Sequence, residues 1–513
     1  MSATTVADLW RMSATELAEV IRTRQASSRE VVEAHLRRIE AVNSSINAVV
    51  IVLAERALEE AKVADRAVAA GADLPPFHGV PFTVKENLDV AGTPTTQGFK
   101  ALANAYPSRD APIVERLKAA GAIPIGRTNL PSGAIRWHCE SELWGATVNP
   151  WDRSRTPGAS SAGEAAAIAT GMSPLGLGND GFGSLRHPAQ CCGVTALKPT
   201  LGRIPHASSL GPADVATIGV QLSSVNGPLA RRVADLRGAL ELIAGPSWRD
   251  PWTVPAPLSV SQPLRPIRVA VVLDPAGQGT AKQVQDGVRK AAQALEDAGC
   301  TVDEIEPPSI DAAAQALVVM LSTPGTRAVW EQVMPPWLPA PTRQFMAAFF
   351  GAAGDPDVVA AEQSFITRHS VLRSWGEFQE TYPLIVAPIA TDIPSVAGSD
   401  LDEGRVAADL RTMRMAMAVN ALGLPAVAVP VGIQDGLPQA VQVIGPRYRE
   451  DLCLDAAGMS EDIVGIITPI DPREGRGAAS DRGRESARAG SEGVAVPERL
   501  DRNRRSQQNQ EDS

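Results

Sequence analysis

The chain has 513 residues, of which 44% are hydrophobic and 21% charged, the usual mixture for a soluble globular protein of one very large domain or two to three ordinary ones. Its net charge of −10 at pH 7 argues against a nucleic-acid partner, because a phosphate-binding surface needs a basic footprint. The five cysteines and six histidines show no metal-ligand spacing, so we expect no metal site.

The first 70 residues predict a helical arm that leads into an apolar strand. Helical periodicity runs over residues 7–43, where Ser13 and Glu16 match a capping box and Ser28 is a plausible N-cap of a second helix. An apolar strand is predicted at 46–53, followed by a third helix. The N-terminus lacks the basic start and apolar run of a secretory signal, and the odd cysteine count fits a reducing compartment. We therefore expect a cytoplasmic protein.

From about residue 78 onward, short apolar strands alternate with helical stretches. This interleaving indicates an α/β layer architecture with a mixed sheet. The apolar pattern predicts strands at residues 80–84, 123–126, 267–273, 301–305, 384–387, 426–431 and 440–444. It predicts helices at residues 54–70, 111–120, 163–170 and 281–298.

Two segments depart from this alternation. Residues 415–434 carry no charge and mimic a membrane span, but Pro425 and Pro430 make a buried helix end, a turn and a buried strand the better interpretation. Residues 473–513 are mostly polar and charged with few large apolar side chains, which predicts a disordered tail. We therefore expect no membrane association.

The stretch PLGLGNDGFGSLRHP at residues 174–188 is open to two interpretations. Its glycines match the G-x-G-x-x-G pattern that cradles a pyrophosphate in dinucleotide-binding folds. However, Met-Ser-Pro before them predicts a poor strand, Pro188 argues against a following helix, and no acidic residue lies between positions 180 and 214 to bind a ribose. The glycines can instead leave the backbone bare around Ser184, so a nucleophile loop is favoured over a cofactor cradle.

Two further loops carry residues suited to nucleophilic catalysis. Ser160 and Ser161 lie in PGASSAGE, a run of small residues that opens an alanine-rich helix. Lys85 ends an apolar strand, where burial would lower its pKa and let a neutral amine take a proton from a hydroxyl. His187 is an alternative base, although an ordinary polar loop residue explains it better. Spacing alone also leaves Lys85 open as a surface lysine at a strand end.

The run at residues 158–200, GASSAGEAAAIATGMSPLGLGNDGFGSLRHPAQCCGVTALKPT, closely resembles the signature segment of the amidase signature family. FHGVPFTVK at 77–85, NPWD at 149–152 and QVIGP at 442–446 resemble the same family, and the likeness extends over about residues 7–472. The resemblance implies a three-layer α/β/α fold with a large, mixed, twisted sheet covered by helices. It divides the chain into the arm at 1–70, a catalytic domain at 71–472 and the tail.

The resemblance implies an amidohydrolase that uses a Ser–cis-Ser–Lys triad and no cofactor. Ser184 would attack the amide carbonyl and form an acyl-enzyme. Ser160, on a cis peptide after Ala159, would relay the proton to Lys85, the base that later helps to protonate the leaving amine. The expected partner is a small-molecule amide substrate.

Around the nucleophile, the resemblance implies an oxyanion hole from the backbone N–H groups of Gly181, Phe182, Gly183 and Ser184. It also implies supporting roles for Asp180, Arg186 and Ser161. The sequence departs from the family pattern at Ala162 and, more seriously, at Phe182, since the family usually has glycine at both positions. Phenylalanine adopts a positive φ only with strain. Either the loop follows a different backbone path, or the Phe182 ring forms an aromatic wall of the substrate pocket.

The substrate is less well specified by the sequence. Candidate pocket walls, for which core packing is an equally good explanation, are Trp137, His138, Trp144, Trp337, Phe345 and Phe349. If half of them line the pocket, the substrate carries an apolar or aryl group. Two alternatives stay open: the glutaminase component of a tRNA-dependent amidotransferase, and a non-catalytic binding protein on an amidase fold. The oligomeric state, a homodimer included, is left open.

Overall fold

The computed structural model describes residues 6–210, 216–258, 266–333 and 337–473, and the predicted tail after Arg473 lies outside them. Helices and strands alternate through the described chain. The helices are α1 (Ala14–Arg22), α2 (Ser28–Ile46), α3 (Ala54–Ala69), α4 (Pro112–Ala119), α5 (Ala162–Ala169), α6 (Arg186–Cys192), α7 (Ile218–Ser223), α8 (Val233–Ile243), α9 (Lys282–Asp297), α10 (Ile310–Met320), α11 (Pro324–Ala328), α12 (Ala340–Ala353), α13 (Val358–Thr381), α14 (Arg405–Thr412), α15 (Arg414–Leu422) and α16 (Glu450–Val464).

The strands form one large sheet and one small hairpin. They are β1 (Val49–Val52), β2 (Pro81–Lys85), β3 (Ile123–Thr128), β4 (Glu140–Ser141), β5 (Gly145–Ala146), β6 (Leu175–Asp180), β7 (Thr195–Lys198), β8 (Val225–Ala230), β9 (Arg268–Val271), β10 (Thr301–Glu304), β11 (Leu384–Ala387), β12 (Ala426–Gln434) and β13 (Leu437–Ile444). Eleven of them pair in the order β1-β3-β2-β6-β8-β7-β12-β13-β11-β9-β10. Parallel and antiparallel neighbours both occur, so the predicted mixed sheet is confirmed.

The sheet is covered on both faces by helices, which gives the three layers that the family resemblance implied. Alternate residues of β12 show this directly, because Ala426 and Ala428 face one core whereas Val427 and Val429 face the other. The first core is closed by α5, α6, α10 and α15, and the second by α4, α8, α9 and α16. Both faces of the sheet are therefore dry, as the continuous apolar runs of its strands require.

The N-terminal elements begin where their capping residues predict, with one correction. Ser13 and Glu16 form the expected reciprocal capping box at the start of α1. The N-cap of α2 is Ser27, which pairs with Glu30 in a second capping box, so the expectation of Ser28 was wrong by one residue. Strand β1 pairs with β3, placing Val49 opposite Thr128 at the edge of the large sheet.

The glycine-rich stretch folds differently from our expectation. Met-Ser-Pro lies before the strand, as its poor strand character predicted, and the glycines lie inside the central strand β6 at 175–180. Helix α6 begins at Arg186, so the expectation that Pro188 argues against a helix was wrong. Pro188 lies in the first turn of α6, where its missing N–H costs no hydrogen bond. Gly176 lies inside the strand, and a Cβ there would approach Glu164 Oε2 to 2.0 Å. The strand glycines therefore leave room for a neighbouring helix to pack closely, and they do not form a pyrophosphate-binding loop.

The uncharged segment at 415–434 folds as predicted. It contributes the buried helix α15, a turn with Gly423 in the left-handed region, and the buried strand β12. Within the described residues, no helix combines the length and apolar character needed to cross a bilayer.

Candidate active site

The site lies where strands β2 and β6 end side by side. The two strands are parallel neighbours, with Thr83 opposite Gly176 and Val84 opposite Leu177. Their carboxyl ends therefore meet at one edge of the sheet. Lys85 is the last residue of β2, and β6 leads directly into the loop that carries Ser184.

The Lys85 side chain is fully buried at this edge and makes two hydrogen bonds. Its Nζ lies 2.7 Å from Ser160 Oγ and 2.7 Å from Asn179 Oδ1. Burial lowers the pKa of the Lys85 ammonium to about 7, although the nearby Cys139, Asp180 and Glu164 act in the opposite direction. A lysine with that pKa is about half neutral amine at pH 7. Its complete burial excludes the alternative of a surface lysine.

The two serine loops are joined by backbone contacts. The Ala159–Ser160 peptide bond is cis, as the resemblance implied. The Ser161 N–H donates to the carbonyl oxygen of Ser184 over 3.1 Å, and Ser161 Oγ donates to the Asn179 carbonyl over 3.3 Å. Ser161 therefore ties the loop before α5 to the loop after β6. Ser184 itself is half-buried, so its side chain is partly accessible to solvent.

A buried ion pair contacts the backbone of the loop that carries Ser184. Arg186 and Asp180 are both fully buried and form a bidentate pair with N–O distances of 2.9 and 3.1 Å. Arg186 also donates to Asn420 Oδ1 (2.6 Å) and Gln442 Oε1 (2.7 Å), and Asn420 returns an N–H to Asp180. The Arg186 charge keeps the pKa of Asp180 well below its usual range in spite of burial. Asp180 therefore stays ionised at every physiological pH.

The same carboxylate also occupies one of the implied oxyanion donors. The Gly183 N–H donates to Asp180 Oδ1 over 2.7 Å, and the Leu185 N–H donates to Asp180 Oδ2 over 3.2 Å. Gly183 has φ = +93°, and a Cβ there would lie 2.6 Å from Met413 Cε. Phe182 keeps a negative φ, so the loop needs glycine at 183 and accepts phenylalanine at 182 without strain.

The Phe182 ring belongs to an aromatic wall beside the Ser184 loop, formed by Trp137, Phe182, Phe345 and Phe349. Ring centroids are 6.2 Å apart for Phe182 and Trp137, 6.0 Å for Phe182 and Phe349, and 5.3 Å for Trp137 and Phe345. These spacings and the tilted or edge-on angles are those of favourable aromatic pairs. Helix α12 supplies Phe345 and Phe349, some 160 residues from Phe182, so no local motif announces the wall.

The remaining candidate pocket residues lie in different surroundings. His138 is buried, its backbone N–H donates to Asp400, and its Nδ1 lies 3.4 Å from Thr156 Oγ1. Trp144 is half-buried in the turn between β4 and β5, with its backbone N–H on Ser141 Oγ. Trp337 is 43% exposed. Of the tryptophans named from the sequence, Trp137 is the one in ring contact with the Ser184 loop.

His187, the alternative base, is buried in α6. Burial lowers its pKa to about 4, so the ring is neutral near pH 7. Its Nδ1 has no hydrogen-bond partner among the described residues. The ring is hydrogen-bonded to the backbone of Ala159, whereas the group that the structure places on Lys85 is Ser160.

Two residues near Lys85, Glu164 and Asn179, were not predicted from the sequence. Glu164 on α5 accepts hydrogen bonds from Thr83 (2.6 Å) and Thr128 (2.7 Å), and burial raises its pKa to about 8. Asn179 accepts from Lys85 and donates to Asn87 Oδ1 over 3.0 Å. A single glutamate in an alanine-rich helix and an asparagine at a strand end carry no spacing signal that could have identified them.

Comparison with known proteins places these features in one family. The family model for Amidase matches residues 30–454. The indoleacetamide hydrolase of Bradyrhizobium diazoefficiens is 40% identical over 90% of this chain and 88% of its own length. A glutamyl-tRNA(Gln) amidotransferase component from Salinispora arenicola is 32% identical over 90% of this chain and 99% of its own length.

Solved structures agree with the sequence relatives. A 6-aminohexanoate cyclic dimer hydrolase complexed with substrate superposes with a TM-score of 0.79 and 28% identity, covering 91% of this chain and 99% of its own. A bacterial aryl acylamidase of the amidase signature family has a TM-score of 0.77 and 25% identity, covering 88% and 96%. The chain therefore belongs to the amidase signature family and is an amidase, an enzyme that hydrolyses the C–N bond of carboxylic amides.

Proposed function

We propose that hydrolysis proceeds through an acyl-enzyme on Ser184, with Ser160 and Lys85 as its proton relay. The neutral Lys85 amine takes the Ser160 proton, Ser160 takes the Ser184 proton, and Ser184 Oγ bonds to the amide carbonyl carbon. The tetrahedral intermediate then breaks its C–N bond, and the leaving amine receives the relayed proton. Water, deprotonated by the same relay, releases the acid. The observation that carries this proposal is the 2.7 Å contact between a buried lysine of pKa about 7 and Ser160.

The oxyanion that forms on the carbonyl oxygen needs backbone donors that are not already occupied. Gly183 donates its N–H to Asp180, so we assign the oxyanion to the N–H groups of Gly181, Phe182 and Ser184. Each such donor typically lowers the barrier by about 3–4 kcal/mol. In this assignment Asp180 orients the loop, and the oxyanion contacts its other amides.

We also propose that the preferred substrate is an amide with an aryl-substituted acyl group, such as an arylacetamide. The aromatic wall supports this choice because Phe182 brings a ring onto the loop of the nucleophile itself. The relationship at 40% identity to an indoleacetamide hydrolase supports the same acyl class. A ring on the substrate would add a further aromatic pair to the wall, for which about 0.5–1.5 kcal/mol beyond area burial is typical.

The mechanism is tested by ammonia release from indole-3-acetamide and phenylacetamide. We expect Ser184→Ala and Lys85→Ala to lose about 10⁴-fold or more in kcat, because the nucleophile and its base act as a unit. Ser154→Ala, an exposed serine bonded to Asp152, is the matched control and should keep wild-type turnover. Mass spectrometry of the wild type should show an acyl adduct on the peptide that contains Ser184. Wild-type turnover in Ser184→Ala would overturn the mechanism.

The substrate class is tested with a panel that adds acetamide and glutamine. We expect kcat/KM to be highest for the arylacetamides, and Phe182→Gly to lose about 10–200-fold on them while changing acetamide hydrolysis much less. Phe378→Leu, which disturbs an aromatic pair with Tyr382 at the end of α13, is the control. It should leave the ratio of kcat/KM for arylacetamides to that for acetamide unchanged. Glutamine as the best substrate would instead favour the amidotransferase alternative, and equal rates for acetamide and arylacetamides would contradict the aryl preference.

A further inference from the structure

Two asparagine side chains form a short chain of hydrogen bonds that ends on the proposed base. Asn87 Oδ1 accepts from Asn179 Nδ2 over 3.0 Å, and Asn179 Oδ1 accepts from Lys85 Nζ over 2.7 Å. Asn179 is 8% exposed and Lys85 is fully buried. An amide group can present either its oxygen or its nitrogen to a neighbour. In the observed arrangement Asn87 engages the Asn179 nitrogen, and the Asn179 oxygen faces Lys85.

The orientation of Asn179 determines what the lysine can do with its lone pair. A neutral amine has two N–H donors and one lone pair, so a fixed acceptor on one side leaves the lone pair for a hydroxyl on another. Ser160 Oγ lies on that other side at 2.7 Å. With one N–H directed at Asn179, the amine can turn its lone pair towards the Ser160 proton. With its amide reversed, the Asn179 nitrogen would oppose the N–H groups of the lysine.

The surroundings of Lys85 contain little net charge to compete with this effect. The titratable groups that act on it are Cys139, Glu164, Asp180 and His206. Burial raises the pKa of the Cys139 thiol to about 11 and that of Glu164 to about 8, so these two groups are neutral near pH 7. Asp180 is ionised but is paired with Arg186.

We propose that Asn179, held in place by Asn87, is a positioning residue that directs the lone pair of Lys85 at Ser160 without adding negative charge beside it. This inference rests on the proposed role of Lys85 as the base. An amide suits the position because a carboxylate would accept the same hydrogen bond but would stabilise the ammonium form. The site thus has an acceptor that fixes the geometry of the base and leaves its basicity low.

The test is the pH dependence of kcat/KM for an arylacetamide between pH 5.5 and 10. We expect the acidic limb of the wild type near pH 7, from the pKa of Lys85. Asn179→Asp should move that limb upward by about 1–3 pH units, so that activity is lost about 10- to 1,000-fold at pH 7 and recovers at higher pH. Asn179→Ala should lower kcat at every pH without such an upward shift, with KM nearly unchanged.

Two further variants separate positioning from general damage. Asn87→Ala leaves the Asn179 amide free to reverse and should lower kcat by about tenfold, the size of one lost hydrogen bond. Asn43→Asp is the matched control, because the Asn43 Oδ1 accepts from the backbone amides of Ala48 and Val49 and not from Lys85. The acidic limb of its pH profile should lie at the same pH as that of the wild type. Thermal unfolding of each variant checks that it is folded.

The inference fails if the acidic limb of folded Asn179→Asp coincides with that of the wild type, or if Asn179→Ala keeps wild-type kcat. The role of Asn87 fails if Asn87→Ala matches the wild type. Lys85→Ala is measured alongside them. Its inactivity together with an unshifted Asn179→Asp would contradict the positioning role alone, whereas wild-type turnover in Lys85→Ala would contradict the proposed mechanism itself.

Discussion

Two buried polar clusters adjoin the loops that carry Ser160 and Ser184, and one is charged whereas the other is not. The charged cluster, defined by Asp180, Arg186, Asn420 and Gln442, pairs a permanent carboxylate with a permanent guanidinium and satisfies both with amides. The uncharged cluster, defined by Lys85, Ser160, Asn179 and Glu164, contains one basic and one acidic group, yet burial moves both pKa values towards neutrality. The clusters are equally buried, so burial alone does not decide the ionisation state.

The difference is the presence of a close partner of opposite charge. Asp180 and Arg186 lie within 3 Å of each other, so each compensates the desolvation of the other. Lys85 and Glu164 each contact only neutral hydroxyl or amide groups, so desolvation dominates. The charged cluster is consequently suited to holding a loop in one geometry. The uncharged cluster is suited to moving a proton, since neither protonation state of its lysine is strongly favoured.

Of the substitutions in the two clusters, Asp180→Asn should have the largest effect on the free energy of unfolding. This change leaves Arg186 buried without its counter-charge, and we expect a loss of about 3–5 kcal/mol in the free energy of unfolding, measured by urea denaturation. Asp65→Asn is the matched control, because Asp65 also accepts two backbone N–H groups, at the start of α2, but has no buried arginine beside it. A loss of about 1 kcal/mol is expected there. Equal losses in the two variants would mean that the charge pair is not what matters.

Lys85→Met should abolish activity. Unlike Asp180→Asn, it should stabilise the folded protein. The folded-state pKa of Lys85, about 7, lies below the 10.5 of an ordinary lysine. Between those values the unfolded chain holds a proton that the folded chain lacks, so wild-type stability rises with pH through this window by about 1.4 kcal/mol per unit. Methionine removes this linkage, and we expect a gain of about 1–3 kcal/mol at pH 7 that shrinks towards pH 10.

The exposed Lys100, changed to methionine, is the control for Lys85→Met and should show no such pH-dependent gain. Urea unfolding midpoints at pH 7 and pH 10 measure both variants. A destabilised Lys85→Met at pH 7 would contradict the view that the base is held at an energetic cost.

Glu164→Gln gives the smallest expected effect. Burial raises the folded-state pKa of Glu164 to about 8 from an ordinary 4.5, so the folded chain holds a proton that the unfolded chain has released between these values. Its contribution to stability is complete below pH 4.5 and is lost as pH rises to 8. Since glutamine resembles the protonated acid, we expect a change below about 1 kcal/mol at pH 5 and a relative gain at pH 8. A large loss at pH 5 would show that Glu164 is ionised.

The sequence predicted two of the four members of each cluster. The family resemblance named Asp180 and Arg186, which lie six positions apart, and also Lys85 and Ser160, which the structure brings to 2.7 Å. Asn420 and Gln442 reach Arg186 from more than 230 residues away. Such partners follow from the order of the strands and helices, which no local pattern contains.

The same limit explains which strands were predicted. Strands rich in valine and isoleucine, such as β9 and β11, were located within one or two residues. Strand β8 has the sequence VNGPLA, whose asparagine, glycine and proline disfavour a strand. It forms because β6 and β7 pair with it on both sides, and this tertiary pairing overrides the local preference.

Phe182 links the substrate preference of this enzyme to its rate. Its ring is part of the aromatic wall, and its backbone belongs to the loop whose amides are assigned to the oxyanion. Gly183, next along the chain, is in close contact with Met413 and has no room for a side chain. Selection for a different acyl group will therefore alter rate and preference together. We expect laboratory evolution towards smaller amides to pass through position 182 and to acquire compensating changes at position 413.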